Sequence, residues 1–344
     1  MSKGKVLVTG GTGYIGSHTI IDLIESGYEP ISIDNGCNSD PDVLEKVALL
    51  TNTFIGHYPI DLCDLEKLEK VFKEHEFAGI IHFAALKAVG ESVEKPIMYF
   101  RNNLNSTLNL LDMSLKYGVK NLIFSSSCTV YGNANVIPVT EDTPLQEAES
   151  PYGRTKQMGE QMIIDCYKNT DHKATILRYF NPAGAHKSGM LGEAPTNRAQ
   201  NLVPVITETA IGKRDKMSVY GDDYPTRDGS CVRDYIHIMD LARAHTLALD
   251  HLIADKQNIT IDTYNLGIGE GVTVLEAIKA FEKVSGNILN YEIGPRRAGD
   301  VVAIYANYEK AKINLGWTPQ YGIDEIMSTA WEWEKHRTTT SENA

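Results

Sequence analysis

The sequence has no apolar run long enough to cross a bilayer, no closely spaced cysteines and a shortage of positive charge. Its five cysteines include no C-x-x-C pair, which is typical of free thiols in a reducing compartment. The 33 Lys and Arg face 45 Asp and Glu, a net charge of −12, and this disfavours nucleic-acid binding because phosphate recognition needs clustered cations. No stretch has the pattern of a signal peptide or a membrane span. We therefore expect a cytoplasmic protein that binds neither membranes nor nucleic acid.

Metal-ligand patterns are also missing. The ten histidines form no H-E-x-x-H motif and no Cys/His spacing of the kind that holds zinc. His82 falls inside an apolar run, where a packed core residue is the plainer interpretation. We expect no metal site.

Short apolar runs alternate with amphipathic segments through the first half of the chain. The predicted strands are Lys5–Thr9, Glu29–Asp34, Gly79–Phe83, Asn121–Ser125 and Ala174–Tyr179, and the predicted helices run to about Ser26 and over Glu66–His75, Pro96–Tyr117 and Pro151–Asn169. Strict alternation favours parallel strands with right-handed crossovers, which is an α/β fold with a doubly wound parallel sheet (Rossmann).

The regular alternation fails after about residue 181. At 344 residues the chain is long for one compact domain, and its 42% hydrophobic content can supply two cores. We predict a first domain over 1–180, to which the motifs described next assign NAD binding, and a smaller, mixed α/β C-terminal domain over 181–344 for the substrate. The strand–helix pattern in the segment 233–255 should pack back on the first domain.

A glycine motif, G-x-x-G-x-x-G, lies between the first predicted strand and the first helix. Gly10, Gly13 and Gly16 are its fixed points. Missing side chains let a backbone approach a diphosphate, and the N–H groups near Tyr14 and Ile15 would face it with the positive end of the helix dipole. The position of the motif, more than the glycines themselves, predicts a dinucleotide site.

Two carboxylates follow in the expected places. Asp34 ends the second strand, eighteen positions after Gly16, where it can accept hydrogen bonds from both ribose hydroxyls and would repel a 2′-phosphate. Because Asn35 and Gly36 follow without a cation, NAD is favoured over NADP. Asp61 follows a later apolar segment and is either a contact to the adenine amine or a simple loop cap.

The pattern Y-x-x-x-K occurs twice, so that the motif alone proves nothing. Tyr152 follows Pro151 at a predicted helix start, and Lys156 then lies on the same face one turn on. The serines that close the strand Asn121–Ser125 should face the same crevice. A nearby ammonium and the positive ring of the cofactor would lower the pKa of the Tyr152 phenol. The second match, Tyr308 with Lys312, lies in the other half of the chain and is interpreted as coincidence.

Taken together, these segments resemble the extended short-chain dehydrogenase/reductase family, and within it the members that invert C4 of a UDP-hexose. The resemblance covers nearly the whole chain through VLVTGGTGYIGSHT, IHFAALKAVGESV, FSSSCTVYG, SPYGRTK, LRYFNPAGAH, VRDYIH, YNLG and PRRAGD. It implies transient oxidation of the sugar to a 4-keto form, with NAD retained and regenerated in each turnover.

The same resemblance implies roles for individual residues. Ser127 and Tyr152 would handle the proton of the sugar 4-hydroxyl, and Lys156 would tune Tyr152 and hold the nicotinamide ribose. Further cofactor contacts are implied at Asn35, Asp61, Leu62, Phe83, Ala84, Lys87, Asn102 and Tyr179. Contacts to the UDP-sugar are implied at Lys87, Ser127, Asn181, Asn201, Leu202, Tyr220, Arg233, Arg297, Asp300 and Ile304.

Two finer expectations also come from the family. Large aromatic side chains at the position of Ile304 resemble enzymes confined to unacetylated sugars, and smaller ones resemble enzymes that accept N-acetyl sugars, so that a preference for UDP-glucose and UDP-galactose with some turnover of UDP-GlcNAc is expected. The helices near 101–117 and 152–169 match those that pair two subunits, which implies a homodimer. Their apolar positions could equally face the chain's own sheet: Leu104, Leu108, Leu111, Met158 and Met162.

Other functions stay open. A nucleotide-sugar 4,6-dehydratase would usually carry an Asp-Glu pair directly after the strand serine, where this chain has Cys128 and Thr129. A decarboxylase is disfavoured for a similar reason, and a plain NAD-linked sugar dehydrogenase remains an alternative. A non-catalytic NAD-binding regulator is less favoured because it has no need of the complete set of hydroxyl, phenol and ammonium.

Overall fold

The structure is a computed structural model that describes residues 2–196, 198–297 and 300–342, with side chains described up to residue 339. In chain order its strands are β1 Lys5–Thr9, β2 Glu29–Ile33, β3 Gly56–Tyr58, β4 Phe77–His82, β5 Asn121–Ser127, β6 Lys173–Tyr179, β7 Asn181–Ala183, β8 Met217–Tyr220, β9 Val232–Arg233, β10 Tyr235–His237, β11 Ile261–Leu266, β12 Val272–Thr273, β13 Tyr291–Gly294 and β14 Ala303–Ile304.

Helices alternate with these strands. They are α1 Tyr14–Glu25, α2 Val43–Thr51, α3 Leu65–Glu74, α4 Val89–Glu94, α5 Pro96–Tyr117, α6 Pro151–Tyr167, α7 Leu202–Ala210, α8 Ile238–Ile253, α9 Val274–Ser285, α10 Glu309–Leu315 and α11 Ile323–Glu342. Within the described ranges, no helix combines the length and the apolar character that a membrane span would need.

Seven parallel strands form the main sheet in the order β11-β6-β5-β4-β1-β2-β3. The order reverses between β1 and β4, and ligands of doubly wound sheets bind in the crevice at such a reversal, outside the carboxyl ends of the strands. The predicted parallel α/β sheet is therefore confirmed. β11, from the second half of the chain, extends this sheet beside β6.

Side chains of β1 show how the sheet is covered on both faces. Val6 and Val8 point to one layer, which contains apolar residues of α1 and α8, while Leu7 between them points to the opposite layer with residues of α3, α5 and α6. All three are 0% exposed. This is the alternation that a strand buried on both faces requires, and it explains why the β1 sequence is apolar throughout.

The second half of the chain builds smaller sheets around its own core. β7 pairs with β10, β8 with β13, and β9 lies between β12 and β14. Apolar side chains of α7, α9 and α11 meet in a separate buried cluster. The division of the chain at residue 180 stays a prediction.

Local sequence explains where the helices of the site begin. Ser150 accepts a hydrogen bond from Gly153 N at 3.1 Å, and Pro151 occupies the first turn, so that α6 starts one residue before Tyr152. Pro96 opens α5 in the same way, and Gly118 ends it in the left-handed conformation at φ 68°. The bounds predicted for α5 agree with the structure.

Candidate active site

The glycine motif forms a tight turn between β1 and α1. Gly10 has a φ of +71°, and a Cβ on it would lie 2.8 Å from the backbone nitrogen of Ala84. A Cβ on Gly16 would lie 2.2 Å from the Gly10 carbonyl oxygen. Only glycine fits either position, because moving these backbone atoms to admit a side chain would cost much free energy. The turn therefore brings β1, α1 and the end of β4 into direct contact.

The N-terminus of α1 is open toward the crevice. Gly13 at the N-cap position offers no side-chain cap, and the first turn, which includes Tyr14 and Ile15, carries no acidic residue. Free N–H groups at a helix start bind anionic oxygens well, since the helix dipole adds to the hydrogen bonds. These features fit the diphosphate of a dinucleotide cofactor.

A chain of hydroxyls closes the loop after β2 over the same turn. The Thr12 and Ser39 hydroxyls are 2.6 Å apart, and Ser39 donates to Asp34 Oδ1 at 3.3 Å. Asp34 Oδ1 also accepts the Gly36 N–H at 2.9 Å. The carboxylate thus directly follows β2, one residue beyond the observed end of the strand, and lies beside the glycine turn. Thr12 and Ser39 were missed because only the folded loop brings them together.

Asp61 and Asn35 lie side by side at this end of the crevice. Asn35 Nδ2 is 3.3 Å from Asp61 Oδ2, and Asp61 Oδ1 accepts the Cys63 N–H at 2.8 Å. Asp61 therefore caps its own turn and also faces the loop after β2. Leu62, in contrast, is 4% exposed with its side chain in the core, and its carbonyl accepts a hydrogen bond from Asn109 at 2.8 Å.

The end of β4 supplies the other wall of the cofactor crevice. Phe83 and Ala84 follow β4, where the Phe83 N–H donates to the Thr9 carbonyl at 3.1 Å. Further along, Asn102 lies on α5, and its Nδ2 donates to Asn103 Oδ1 at 3.0 Å. The loop from Phe83 to Ala88 thus runs between β1 and α5, toward the predicted catalytic residues.

Asn103 is a positioning residue that sequence reasoning missed. It is 5% exposed, accepts the Leu86 N–H at 2.8 Å, and donates to the Leu86 carbonyl at 3.0 Å and to Thr155 Oγ1 at 3.1 Å. One amide therefore fixes the loop before α4 against α6. A buried amide within the apolar stripe of α5 was the signal that could have found it.

Lys156 is buried under the end of β5. The residue as a whole is 6% exposed. Its ammonium donates to the Ser125 carbonyl at 2.7 Å and lies 5.9 Å from the centre of the Tyr152 ring. Burial lowers the pKa of Lys156 to about 8, and the charge of Glu160 acts in the opposite direction. The ammonium is thus held by the strand, within electrostatic reach of the phenol.

The pKa of the Tyr152 phenol is raised in the protein itself. Burial, and next the neighbouring Tyr179, raise the pKa of the Tyr152 phenol above its ordinary value, while hydrogen bonding with Ser127 lowers it. The Lys156 ammonium is directed at the Ser125 carbonyl, and desolvation of the phenol dominates. The predicted lowering combined this ammonium with the positive ring of the cofactor and stays a prediction, because a phenolate at this site needs further positive charge beside the ring.

Ser127 and Tyr179 complete this part of the cleft. Ser127 is the last residue of β5, two residues beyond the predicted end of the strand, because it still pairs with Tyr179 across the ladder. The Tyr179 hydroxyl contacts the Ser125 hydroxyl. The structure therefore brings the serine hydroxyls, two phenols and the ammonium to the carboxyl ends of adjacent strands, beside the glycine turn.

A second Y-x-x-x-K pair is engaged elsewhere. Tyr308 packs against Trp317, with ring centres 5.9 Å apart, and the Lys312 ammonium pairs with Glu309 at 3.2 Å. These contacts occupy both side chains within α10 and its surroundings.

On the substrate side, Asp300 gathers two arginines. Arg233 Nη2 is 3.3 Å and Arg297 Nη2 is 2.8 Å from Asp300 Oδ1, and the Arg297 guanidinium lies 5.5 Å from the centre of the Tyr220 ring. The Arg297 side chain is 56% exposed, so that it can still reach a ligand. The three charges sum to +1, which gives this wall of the cleft a local cation excess in a protein of net charge −12.

Asn181 and Ile304 line the adjoining surface. Asn181 begins β7, and its backbone N–H and its Nδ2 both donate to the Asp234 carbonyl at 3.0 Å. Ile304 is 6% exposed and packs in a cluster that contains Phe180 and Cys128, next in sequence to Tyr179 and Ser127. The position for which the resemblance implies a role in substrate range thus lies beside the predicted catalytic residues.

Glu193 connects the two sides of the cleft, and sequence reasoning missed it. Its Oε1 accepts a hydrogen bond from Asn201 Nδ2 at 2.8 Å and lies 3.8 Å from the Lys87 ammonium. Asn201 stands at the N-cap position of α7, directly before Leu202, without a side-chain hydrogen bond to the helix. Nothing in the local sequence signals this role, because Lys87, Glu193 and Asn201 meet only in the folded chain.

Comparison with known proteins gives one consistent result. Residues 7–330 match the family described as GDP-mannose 4,6 dehydratase. The chain is 48% identical over 338 residues to the UDP-glucose 4-epimerase of Mus musculus, which covers 96% of each chain. It is 47% identical over 330 residues to the UDP-glucose 4-epimerase of Bacillus subtilis (strain 168), again over 96% of each.

Solved structures agree. The Bifidobacterium longum UDP-glucose 4-epimerase in complex with NAD+ and UDP superimposes with a TM-score of 0.93 at 46% identity, covering 97% of this chain and 99% of the other. The Stenotrophomonas maltophila UDP-glucose-4-epimerase with bound NAD and formylated UDP-arabinopyranose gives a TM-score of 0.95 at 40% identity, covering 98% and 99%.

Proposed function

The chain belongs to the UDP-glucose 4-epimerase family, whose members invert C4 of a UDP-hexose with NAD, and we propose that Tyr152 of this chain exchanges the proton of the sugar 4-hydroxyl in that reaction. The observation that supports this role is the meeting of Ser127, Tyr152 and Lys156 at the carboxyl ends of the strands, beside the glycine turn. NAD is the cofactor, and when bound it would supply reversible hydride exchange at C4 of the sugar.

Each residue of this group has a separate task. Tyr152 takes the hydroxyl proton as C4 is oxidised, and Ser127, which shares a hydrogen bond with the same phenol, relays that proton from the sugar oxygen to Tyr152. The Lys156 ammonium stabilises the phenolate, since it is fixed under the strand at 5.9 Å from the ring centre. After the 4-keto sugar has turned in the cleft, Tyr152 returns the proton.

The cofactor is assigned to the crevice between β1 and β4. Its diphosphate would lie on the N–H groups of α1, with Gly10, Gly13 and Gly16 allowing close approach. Asp34 would accept the ribose hydroxyls, and Asp61 and Asn35 lie where the adenine would be. The remaining cofactor contacts are assigned to Tyr14, Ile15, Leu62, Phe83, Ala84, Lys87, Asn102, Tyr152, Lys156 and Tyr179.

The UDP-sugar is assigned to the facing wall. Arg233 and Arg297 would bind the diphosphate, because a guanidinium matches two phosphate oxygens at once. Asp300 orients both arginines. The other contacts are assigned to Lys87, Ser127, Asn181, Asn201, Leu202, Tyr220 and Ile304.

A dehydratase reaction is not supported by the site, although the family match carries that description. Elimination of water across C5 and C6 needs an acid and a base after the strand serine. Cys128 and Thr129 occupy that place in the short 3-10 helix that follows β5, and burial raises the pKa of the Cys128 thiol to about 12. Neither side chain can act as a carboxylic acid.

Exposed apolar residues on α5 and α6 support a homodimer as a further proposal. Leu108 is 46% and Met158 40% exposed, whereas Leu111 is 2% exposed and faces the chain's own sheet. Some of these apolar side chains therefore face the chain's own sheet, whereas others are free to contact a partner. Leu104 and Met162 are half-buried. We also propose a cytoplasmic location, because all five cysteines are free thiols.

The test is turnover of UDP-galactose by the purified protein without added NAD. Wild type should form UDP-glucose, and Tyr152→Phe should lower kcat by about 10²–10⁴, the usual range for losing a general acid–base group. Tyr308→Phe is the matched control, because it removes the same hydroxyl from the second Y-x-x-x-K pair and should leave kcat unchanged. An unchanged rate in Tyr152→Phe would remove the assignment.

A further inference from the structure

A buried charge cluster lies directly below the catalytic residues. Glu160 follows Lys156 by one turn of α6, and its carboxylate accepts three hydrogen bonds: from Ser126 Oγ at 2.5 Å, from Arg178 Nε at 2.9 Å and from Arg178 Nη2 at 2.6 Å. The side chains of Glu160 and Arg178 are 5% and 8% exposed. The reaction as described above uses none of these groups.

The cluster ties together the elements that carry the catalytic side chains. Arg178 lies on β6 and donates onward to the Tyr131 hydroxyl at 3.2 Å, and Tyr131 donates to Asn265 Oδ1 on β11 at 2.6 Å. Glu160 thus joins α6 to β5, β6 and, through Tyr131, to the short 3-10 helix that follows Ser127. Fixed separations among these elements set the geometry of the cleft.

Ser126 is the direct connection to the catalytic group. It stands in β5 between Ser125, whose carbonyl accepts the Lys156 hydrogen bond, and Ser127. Because strand side chains alternate, Ser126 points to Glu160 while its two neighbours point to the cleft. The hydrogen bond that holds the Ser126 side chain therefore also fixes the positions of the Ser125 carbonyl and the Ser127 hydroxyl relative to α6.

Among the groups that surround Lys156, the neighbours on β4 and β6 are neutral and Glu160 carries the negative charge. On β4, His82 is kept neutral because burial lowers its pKa to about 3, and Tyr152 on α6 and Tyr179 on β6 are neutral phenols with raised pKa values. Glu160 supplies the negative charge that favours the ammonium form of Lys156, and Arg178 offsets part of it. Without that charge, burial alone would act on the ammonium.

Stability alone is a weak reason for such a pair. Taking two charges out of water costs several kcal/mol per ion, and apolar replacements of buried ion pairs are often neutral or stabilising. A buried pair one turn from the ammonium assigned to catalysis therefore indicates a role in positioning and charge balance.

We propose that Glu160 is a positioning residue of the reaction, which holds Ser126 and thereby the Ser125 carbonyl under Lys156, and which supplies the negative charge opposite the Lys156 ammonium. This proposal rests on the role given to Lys156 under the proposed function. Glu160 touches neither substrate nor cofactor and acts through its neighbours.

The main test is the pH profile of kcat in the double variant E160M/R178M. Both charges are removed at similar volume, and folding is checked by thermal unfolding, because E160Q would leave the buried Arg178 without its counter-charge. In wild type we expect the rate to fall at alkaline pH as Lys156 loses its proton. The variant removes the Glu160 charge, which raises the pKa of Lys156, together with the Arg178 charge, which offsets part of that effect, so the alkaline limb should move down by a fraction of a pH unit.

The matched control is E208M/R214M. Glu208 and Arg214 form a half-buried ion pair at 2.6 Å, away from the catalytic residues. Glu208 lies on α7, and Arg214 lies in the loop that follows α7. This variant should leave the pH profile unchanged.

S126A keeps both charges of the cluster but removes the hydroxyl that Glu160 holds. It should lower kcat about threefold to tenfold, which is the usual effect of losing one hydrogen bond, and it should not move the alkaline limb.

The outcomes separate this proposal from the function itself. An unmoved alkaline limb in folded E160M/R178M, or a normal kcat in S126A, would overturn the role of Glu160 while leaving the epimerase assignment intact. If E160M/R178M does not fold, the S126A rate decides the positioning role. An active Tyr152→Phe would instead overturn the assignment on which the proposal depends.

Discussion

The Lys156 ammonium lies 5.9 Å from the centre of the Tyr152 ring, one helical turn further along α6. At this separation it can stabilise a phenolate through space without a direct hydrogen bond. The ammonium instead donates to the Ser125 carbonyl at 2.7 Å, so that its position depends on β5. The catalytic role proposed for the phenol is thus coupled to the strand beside it.

Lys156→Met should test this coupling. The variant keeps the length of the buried side chain but removes its charge, and we expect kcat to fall by about 10²–10⁴ at neutral pH because the phenolate loses its nearest cation. Lys312→Met, in the second Y-x-x-x-K pair, is the control and should keep the wild-type rate. Full activity of Lys156→Met at neutral pH would contradict the role given to the ammonium.

Gly16→Ala should impair cofactor binding. The new Cβ would lie 2.2 Å from the Gly10 carbonyl oxygen, so the turn below the diphosphate must shift. Overpacking of this kind costs about 1–3 kcal/mol, which predicts a roughly tenfold or greater loss of NAD affinity. The measurement is the NAD content of the purified protein and its binding constant by calorimetry. Gly90→Ala, where a Cβ would meet no atom within 4 Å, should retain wild-type NAD.

Ile304→Tyr should narrow the substrate range. Ile304 is 6% exposed in a cluster that contains Cys128, the neighbour of Ser127, and a phenol ring there would occupy space that we expect an N-acetyl group to need. We expect kcat/KM for UDP-GlcNAc to fall about tenfold relative to that for UDP-galactose, within the range given by one or two carbon groups in a pocket. Ile304→Val should keep the wild-type ratio. Equal ratios in all three proteins would show that this side chain does not select the substrate.

Charges on the exposed faces of α5 and α6 should prevent the proposed dimer. Leu108 and Met158 are the exposed apolar side chains that a partner would cover, so Leu108→Glu with Met158→Glu should give a monomer by light scattering at micromolar concentration, because an interface does not tolerate unpaired buried charge. Leu49→Glu introduces the same charge on α2, where Leu49 is 74% exposed, and should not change the mass. A wild-type protein that is monomeric under these conditions would refute the proposal.

His82 should make stability depend on pH. Burial lowers its pKa to about 3, and both ring nitrogens are bonded, to Thr9 Oγ1 at 2.7 Å and to Thr107 Oγ1 at 3.2 Å. Since the folded pKa lies below the unfolded value, the contribution of His82 is present above about pH 6.5 and is lost as the pH falls toward 3, by about 1.4 kcal/mol per pH unit.

Denaturant unfolding of wild type and His82→Asn between pH 8 and pH 4 measures this contribution. The variant should be less stable at pH 8, and the difference in unfolding free energy should shrink as the pH falls below 6.5. A difference that stays constant over the whole range would mean that His82 does not titrate as its burial requires.

Local patterns of the chain predicted many of its elements and the crevice in which we propose that the cofactor binds. β1 and α5 have the predicted bounds, because a continuous apolar run and a periodic run between Pro96 and Gly118 each carry their own start and stop signals. The alternation of strand and helix then permits few topologies, and the glycine turn has its place at the reversal of strand order. Residues that are near each other in sequence interact in ways that sequence reasoning can follow.

Contacts between distant segments were decided by the tertiary structure alone. The bridge from Lys87 through Glu193 to Asn201, the split of α5 into an inward Leu111 and an outward Leu108, and the raised pKa of Tyr152 all depend on which elements pack together. Burial and electrostatic interactions are set by every atom around a group, wherever it lies in the chain. The sequence determined which chemical groups are available. Packing decided which of these groups contact one another and how far the pKa of each is shifted.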